Sequence, residues 1–209
     1  MAKDLDPKCK KCRREGEKLF LKGERCLTPK CSVIKRNYPP GPLGPLNNPR
    51  LSQYGIQLRE KQKAKRIYNI LEKQLRNYFL KANRRKVKTG EGLIELLESR
   101  LDNIVYRLSF AKSRSQAREM VSHGHIFVND KKVTIVSFMV KVNDVISLNP
   151  KSLDKKGFSN IPKTIVKEDI PAWLELDLKN LSGKLVRIPK KDDIGYKIDT
   201  NLIVEYYSR

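Results

Sequence analysis

The sequence predicts an α+β fold in which an N-terminal four-cysteine metal knuckle precedes a helical domain and a module of two helices with an antiparallel sheet. Three observations lead to this prediction. All four cysteines lie within the first 31 residues. Apolar residues then recur at the three- and four-residue spacing of amphipathic helices as far as residue 121. Beyond residue 125, short apolar runs alternate with turn signals, which is typical of strands.

The charge balance indicates a polyanionic partner. Among 209 residues there are 45 lysines and arginines against 23 acidic residues, and residues 1–90 carry +18 of the net +22. Such a balance is typical of proteins that bind nucleic acid, a ribosome or an anionic membrane. The basic helical stretch lacks a wide Trp/Phe/Leu face for a membrane surface, and neither a spanning apolar run nor an apolar signal region is visible. We therefore expect a soluble, cytoplasmic protein.

The cysteines form two close pairs, Cys9-x2-Cys12 and Cys26-x4-Cys31, separated by thirteen residues. In a reducing cytoplasm thiols do not form disulfides, and two such pairs have the spacing at which four thiolates converge on one metal ion. Neighbouring lysines and arginines would favour the thiolates. The spacing predicts bound zinc, with a four-thiolate iron–sulfur cluster or four unconnected free cysteines as alternatives. Because no coordination position would stay open, such a metal is structural and not catalytic.

A proline-rich segment follows the cysteines. Residues 38–49 contain five prolines and two glycines, a composition that excludes a regular helix or strand. We expect an extended strap. Arg36, Tyr38 and Arg50 would let the strap lie along RNA, and a plain linker is the alternative.

From residue 52 the pattern becomes helical and strongly basic. Its apolar stripe predicts two helices joined near Asn69, and the stripe consists of Ala64, Ile67, Leu71, Leu75, Tyr78 and Phe79. Arg59, Lys63 and Arg66 fall on one flank. Residues 51–90 contain 12 basic and 2 acidic residues. Their mutual repulsion favours a bound polyanion over a merely soluble helical surface.

Residues 97–122 predict two further helices. The first has an apolar stripe made of Leu97, Leu101, Ile104, Val105 and Leu108. Ser113 caps the second helix, with Gln116 three residues later as its capping-box partner. Arg114 and Arg118 lie one turn apart and off the apolar face of this helix, so we expect both side chains to face solvent.

A hairpin is predicted directly after these helices. Gly124 fits the left-handed position that ends a helix. Residues 126–128 read as a strand, Asn129 and Asp130 as the turn, and residues 133–136 as the returning strand.

The rest of the chain reads mainly as strands. They are predicted at residues 145–148, 174–178 and 185–188, the last two joined by a turn at 180–183. The polar connection at 151–169 has room for a short helix. Trp173 is expected to anchor the core or the sheet edge, with base stacking as the alternative.

The central stretch resembles the RNA-binding module named after bacterial small-subunit ribosomal protein four. The matching residues are Arg100-Leu101-Asp102, Arg107-Leu108, Ser113-Arg114, Gln116-Ala117-Arg118, Val121, His123-Gly124, Ile126, Val128-Asn129 and Val133. One departure is Asp130, where the family usually has glycine in the turn. Because aspartate tolerates turn geometry, we expect an altered hairpin tip and an intact fold.

Nearly the whole chain is similar to the bacterial small-subunit ribosomal protein four (uS4) family, in its zinc-knuckle type. The order of knuckle, strap, basic segment 58–68, module and C-terminal segment 203–209 carries this resemblance. It implies a structural constituent of the small ribosomal subunit, a primary binder of ribosomal RNA that nucleates assembly of the 5′ domain. It further implies a place beside ribosomal protein five and other small-subunit proteins, near messenger RNA where it enters, and a contribution to translational accuracy.

The same resemblance implies the domain organisation. Residues 1–50 would form the knuckle and strap, residues 51–92 with 189–209 the basic helical domain, and residues 93–188 the RNA-binding α/β domain. A short helix at the C-terminus would pack on the helical domain.

The expected RNA contacts lie mainly on rigid helices. Because A-form RNA hides its base edges in a deep, narrow groove, junction RNA is recognised through shape, phosphates and 2′-hydroxyls, for which lysine and arginine are suited. Ser113 and Gln116 have helix capping as another role, and His123 a structural one. The expected contacts are Arg13, Arg14, Arg36, Arg50, Arg59, Lys63, Arg66, Arg107, Lys112, Ser113, Arg114, Gln116, Arg118 and His123.

Catalysis is not expected. The sequence contains neither a nucleotide-binding glycine loop nor a nucleophile–base arrangement. The alternative to a ribosomal constituent is a stand-alone RNA chaperone or translational regulator that uses the same surface.

Overall fold

The computed structural model describes residues 4–42, 44–46, 50–85, 87–153, 158, 165 and 170–209. The chain divides into two compact units, residues 1–93 with 196–209 and residues 94–195. Within the described residues these units consist of helices and a five-stranded antiparallel sheet, so the predicted mixture is confirmed. The separation of residues 1–50 as a domain of their own stays a prediction.

The elements follow the predicted order. The first unit contains α1 (Lys8–Glu15), a 3-10 helix (Gly23–Cys26), α2 (Ser32–Lys35), α3 (Gln53–Ile67) and α4 (Glu72–Asn83). Helix α5 (Thr89–Glu98) contains the boundary between the units. The second unit continues with α6 (Leu101–Arg107), α7 (Arg114–Ser122), β1 (Ile126–Val128), β2 (Lys131–Lys132), β3 (Val145–Leu148), α8 (Pro150–Leu153), β4 (Leu174–Asp177), β5 (Ser182–Leu185) and a 3-10 helix (Lys191–Asp193). Helix α9 (Thr200–Tyr207) belongs to the first unit again.

Helices α3 and α4 are the predicted basic pair, and Asn69 lies in the short connection between them. This residue has a left-handed φ of 52°, which asparagine tolerates better than most side chains. Ser52 caps α3 by accepting a hydrogen bond from the backbone N–H of Gly55. The apolar stripe is buried except at Leu71, which precedes α4 and is 39% exposed. The predicted pair of helices is confirmed.

Helix α9 returns the C-terminus to the basic helices, as the resemblance implied. The ring of Tyr207 stacks on Phe79 of α4 with centroids 4.8 Å apart. The Tyr207 hydroxyl donates to Glu72 at 2.8 Å, and the Gln57 amide donates to Glu205 at 2.7 Å. The aromatic stack and these two hydrogen bonds together hold α9 on α3 and α4.

The apolar stripe from Leu97 to Leu108 is buried as predicted, but it lies on two helices and not on one. The chain leaves the helical conformation at Arg100, which has φ −69° and ψ 139°. The extended residue forms an antiparallel bridge with Met139, and the next N–H, of Leu101, donates to Phe138 at 2.9 Å. Backbone pairing with a remote segment therefore interrupts the helical ladder.

Helix α7 has the predicted ends. The Ser113 hydroxyl accepts from the backbone N–H of Gln116 at 3.3 Å. The Gln116 side chain accepts from the backbone N–H of Lys112 and not of Ser113, so the reciprocal half of the capping box is shifted by one residue. Gly124 has φ 74° and donates to Val121 at 2.9 Å, and the next N–H donates to Met120 at 3.0 Å. This is a Schellman motif, which needs the glycine.

The sheet has the strand order β2-β1-β3-β5-β4 with antiparallel neighbours. The predicted turn is confirmed, since Asn129 and Asp130 both have positive φ, at 48° and 62°. The returning strand is Lys131–Lys132, so the prediction at 133–136 was wrong. A two-residue turn pairs Val128 directly with Lys131, and beyond Lys132 the pairing continues only as a hydrogen bond from the backbone N–H of Val133 to the carbonyl of Ile126 at 3.2 Å.

Strand β5 also begins earlier than predicted, at Ser182 and not at residue 185. The Asp177 side chain accepts from the backbone N–H of Lys179 and from the Asn180 amide, so the turn closes early. Gly183 lies inside the strand. A Cβ at this position would come within 2.4 Å of Leu108, so the strand needs a glycine where α6 packs on it.

The core of the second unit lies between α6, α7 and the sheet. Trp173 is 1% exposed within it, which confirms the core anchor. Of the predicted connection at 151–169, helix α8 contains the start, and most of the remainder lies outside the described residues. None of the helices in the described part of the chain is long and apolar enough to cross a membrane.

Candidate nucleic-acid interface

Arg107 of α6 is held by a buried carboxylate. Its guanidinium donates two hydrogen bonds to Glu98, from Nε at 3.0 Å and from Nη2 at 2.9 Å. Glu98 is 0% exposed and also accepts from the Asn103 amide at 2.7 Å. Bidentate pairing uses the planar fork that would otherwise bind a phosphate. The geometry therefore gives Arg107 a structural partner inside the unit.

Arg114 of α7 packs on the preceding helix. Its Nε donates to the Asn103 side chain at 2.8 Å, and its guanidinium carbon lies 4.5 Å from the ring centroid of Tyr106. A stacked guanidinium of this kind combines a hydrogen bond with a cation–π contact. Arg114 is only 7% exposed.

Arg118, one turn later, approaches Asp102, the acidic residue of α6. Its Nη1 lies 3.9 Å from Asp102, which Arg100 binds through Nε at 2.9 Å and Nη2 at 2.7 Å. Arg118 is also 7% exposed. The expectation that Arg114 and Arg118 face solvent is therefore wrong. Their partners lie on α6, which a pattern confined to α7 does not include.

Lys112 and His123 lie at opposite ends of α7, and both are exposed. The position of Lys112 follows from the cap, because its backbone N–H is fixed by Gln116 while its side chain extends outward. His123 is the last residue before the left-handed Gly124. An RNA contact by Lys112 or His123 stays a prediction, and both side chains are placed where a ligand can reach them.

In the first unit, Arg59 and Arg66 of α3 hold helix α1. Both guanidinium groups contact Glu15, whose side chain is 3% exposed, and Arg66 also donates to the carbonyl of Lys11 at 3.4 Å. Burial raises the pKa of Glu15, an effect that the charges of Arg66 and Arg59 oppose. Burial likewise lowers the pKa of Arg59. These arginines dock α1 on α3.

The lysines of α3 are paired in the same way. Lys63 lies 2.9 Å from Glu17 and 3.5 Å from Glu60, and its side chain is mostly buried. Lys61 and Lys65 approach Glu72 of α4 at 2.8 Å and 3.4 Å. The expectation that repulsion along α3 needs a polyanion is therefore wrong for this helix. Carboxylates from α1, α4 and the segment between α1 and α2 relieve the repulsion.

The remaining expected contacts lie at the N-terminal side of the first unit. Arg13 Nε donates to the carbonyl of Tyr38 at 3.0 Å, and its guanidinium stacks 4.6 Å from that ring. It thereby ties the strap to α1. Arg14, Arg36 and Arg50 are exposed. Their role in RNA binding stays a prediction.

Sequence reasoning missed the outward face of α4. Four basic residues there are exposed, namely Lys73, Arg76, Lys81 and Arg84. Within the described residues none of them forms an ion pair with a carboxylate. The signal was present in the helical period, because these residues lie opposite the stripe of Leu75, Tyr78, Phe79 and Ala82. We refer to the four basic residues as the α4 face.

The four cysteines line a single cavity in the first unit, between α1 and the start of α2. The thiols are not drawn into a closed centre, since no group of three or more His, Cys, Asp or Glu side chains among the described residues is placed to hold a metal ion. Burial raises the pKa of the Cys12 thiol, and the other three cysteines add to this effect, while a hydrogen bond from the Leu19 backbone opposes it. The metal knuckle is therefore not confirmed.

Two family models match the chain in succession. The model described as the N-terminal domain of ribosomal protein S4/S9 matches residues 3–98. The model described as the S4 domain matches residues 99–146. Together they cover the basic helices, the Glu98 and Asp102 networks, and the hairpin.

The chain is also similar over its full length to curated proteins named small ribosomal subunit protein uS4. The protein from Caldicellulosiruptor saccharolyticus is 53% identical, that from Heliobacterium modesticaldum 52% and that from Natranaerobius thermophilus 49%. Each alignment spans 209 residues and all of both chains.

Proposed function

Since this chain belongs to the uS4 family of small-subunit ribosomal proteins, we propose that it is a primary binder of small-subunit ribosomal RNA that nucleates assembly of the 5′ domain. It is a structural constituent of the small ribosomal subunit, and its family is not an enzyme class. The observation that carries the proposal is the match over the entire length of relatives with that name. The net charge of +22 supports RNA as the partner.

The proposed mechanism is recognition of RNA shape by basic side chains that rigid helices hold in place. Phosphates and 2′-hydroxyls are the groups that A-form RNA presents, and a fixed helix needs no backbone ordering when its side chains bind them. We assign this contact to the exposed lysine and arginine side chains of the first unit and to Lys112 and His123 of the second. The buried arginines act indirectly, because they hold the helices in place.

We propose further partners from the family resemblance. The chain would act in the cytoplasm as part of the ribosome, beside ribosomal protein five and near messenger RNA where it enters, and contribute to translational accuracy. Site-specific crosslinking within purified small subunits tests these contacts. Crosslinks to other proteins and to no messenger RNA would contradict them.

Co-sedimentation tests the main proposal. A tagged full chain should be recovered with small ribosomal subunits at about one copy per subunit, and it should bind 5′-domain ribosomal RNA without other proteins. Recovery only with free or transient RNA complexes would contradict the proposal. That outcome would favour the stand-alone RNA chaperone or translational regulator.

We also propose that Cys9, Cys12, Cys26 and Cys31 bind a structural zinc ion. Their common cavity and their paired spacing support this, although the thiols are not arranged as a closed centre. A bound cation deprotonates thiol ligands and would offset the raised pKa of Cys12. Zinc would crosslink α1 to the segment before α2, leaving no open position for catalysis.

Metal analysis of the full chain, purified without oxygen, tests the zinc site. About one equivalent of zinc without visible absorption is expected, and Cys12→Ser with Cys26→Ser should abolish it. Iron with sulfide and a visible absorption band would support the iron–sulfur alternative. Retention of zinc by the double variant would contradict the four-cysteine assignment.

A further inference from the structure

We propose that the α4 face, formed by Lys73, Arg76, Lys81 and Arg84, binds the phosphate backbone of helical RNA. This inference rests on the proposed binding of ribosomal RNA and specifies a surface that carries it. None of these four residues belongs to the contacts that the sequence predicts. The inference depends on their placement, on the absence of ion pairs between them and carboxylates among the described residues, and on the rigidity of the helix beneath them.

The placement is that of one continuous surface. At 100° per residue, Lys73, Arg76 and Arg84 fall within one third of the helix circumference, and Lys81 lies on its flank. Asn77 and Leu80 lie between them and are also exposed, Leu80 by 45%. With a rise of about 1.5 Å per residue, the stretch from residue 73 to residue 84 extends over roughly 16 Å. A surface of this length can contact several phosphates.

The charge on this surface is not neutralised within the described residues. The acidic residue of α4, Glu72, approaches Lys61 and Lys65 of α3, and the Tyr207 hydroxyl donates to it. The bases of α3 are paired with Glu15, Glu17, Glu60 and Glu72. Two adjacent helices of similar charge thus differ completely in the availability of that charge.

The helix beneath the face is held from its other side. Leu75 and Ala82 are fully buried, and Phe79 is stacked on Tyr207 of α9. Because the helix backbone is already ordered, RNA binding has to order only the basic side chains and not the backbone beneath them. The face contains no aromatic side chain for stacking on bases, so the backbone of a helix fits it better than single-stranded RNA.

Neutralisation of three charges tests the inference. In the full chain, Lys73→Gln with Arg76→Gln and Arg84→Gln removes three charges and retains residues of good helix propensity. Affinity for 5′-domain ribosomal RNA at about 0.1 M salt should fall roughly 100-fold. Each phosphate contact releases about 0.7–0.9 counterion, and the variant loses the favourable free energy of that release at three contacts. The same loss is expected for RNA helices of other sequence, because phosphates carry no sequence information.

A matched control removes the same charge elsewhere. Lys151→Gln with Lys179→Gln and Lys197→Gln neutralises three exposed lysines that are not part of α4. Its affinity should fall less than about fivefold, the change expected from net charge alone at this salt. Equal weakening by both triple variants, or no weakening by the first, overturns the inference. Failure of the wild-type chain to bind the RNA would instead reject the proposed function.

Photo-crosslinking identifies the occupant of the face. A benzophenone amino acid that replaces Asn77, which lies between the four basic residues of the α4 face, should crosslink to ribosomal RNA in assembled small subunits. Crosslinks to an acidic protein alone would overturn the RNA assignment even if the affinity measurements agreed with it. Circular dichroism of each variant checks that α4 and its neighbours remain folded.

Discussion

Basic side chains lie in opposite environments on different helices of this molecule. The arginines of α6 and α7 are largely buried, whereas the basic residues of the α4 face are exposed. Arg107, Arg114 and Arg118 are largely buried among Glu98, Asp102 and Asn103. The α4 face is exposed and has no carboxylate partner among the described residues. The same kind of side chain is therefore structural on α6 and α7 and a candidate RNA ligand on α4.

The difference teaches that the position of acidic residues decides the role of the basic ones. A buried guanidinium needs a carboxylate because an unpaired buried charge is strongly destabilising. An exposed lysine needs no partner and contributes little to folding. Substitutions in the first group should therefore change stability, and substitutions in the second should change RNA affinity.

The largest effect is expected from Arg114→Glu with Arg118→Glu. Two new carboxylates beside Asp102 and the Glu98 network would replace attraction by repulsion in a buried site. The cost should exceed about 5 kcal/mol, which is the whole stability of many small domains. Helicity and the buried-tryptophan emission of Trp173 should be lost together with RNA binding.

The matched control is Lys131→Glu with Lys132→Glu, the same charge change on the exposed strand β2. This variant should keep the emission of Trp173. If the Arg114 and Arg118 variant instead stayed folded and lost only RNA affinity, these arginines would be primary contacts and the comparison would fail.

A smaller effect is expected from Glu98→Gln, which removes one charge and retains the shape. Arg107 would lose its counter-ion inside the unit, a change that costs about 3 kcal/mol. Urea unfolding followed through Trp173 measures this loss. Glu175→Gln, at an exposed position of β4, should change the same free energy by less than about 0.5 kcal/mol. Equal effects of the two substitutions would show that the buried network is not stabilising.

A pH effect is expected where α3, α4 and α9 meet at Glu72. Burial raises the pKa of this carboxyl, but hydrogen bonds from Lys61 and Tyr207 and the nearby lysine charges outweigh it, so the net pKa is lowered from 4.5. A lowered carboxyl pKa contributes stability above pH 4.5 that is lost as the pH falls through the folded-state value. Because Glu72 is partly exposed, the contribution should be below about 1 kcal/mol.

Hydrogen exchange of the α9 amides measures this contribution. The wild-type chain should lose protection relative to Glu72→Gln between about pH 6 and pH 3, since the variant lacks the titrating group. A difference that is constant or grows at low pH would contradict the direction of the shift.

The smallest effect on stability is expected from the α4 triple variant, Lys73→Gln with Arg76→Gln and Arg84→Gln. Because these side chains have no carboxylate partner among the described residues, the free energy of unfolding should change by less than about 0.5 kcal/mol. Thermal unfolding followed by circular dichroism measures it. A loss of about 2 kcal/mol or more is typical of substitutions at buried groups. It would show that these residues stabilise the fold and would remove the contrast with the largely buried arginines of α6 and α7.

Much of the fold followed from local patterns in the sequence. The Ser113 cap, the left-handed Gly124, the Asn129-Asp130 turn and the apolar stripes all depend on neighbours within a few residues, and each was found. The break at Arg100 was missed because it depends on pairing with Met139, 39 positions away. The start of β5 was missed because Gly183 was read as a turn residue, whereas Leu108 requires it within the strand.

The candidate site was less predictable for the same reason. Arg66 pairs with Glu15 and Arg118 with Asp102, and both pairs join residues distant in sequence. The charge pattern alone therefore could not distinguish basic residues that pair with carboxylates from those that are available to bind RNA. The α4 face could have been found, because the helical period that places these residues opposite the buried stripe is a local pattern.

The salt dependence of RNA binding tests the account most directly. For the full chain and 5′-domain ribosomal RNA, the logarithm of the association constant should fall steeply between about 50 and 200 mM salt, with a slope near 0.7–0.9 for each phosphate contacted. The α4 triple variant should reduce that slope by about 2 to 3. A flat dependence for the wild-type chain, or the same slope in both proteins, would contradict the account.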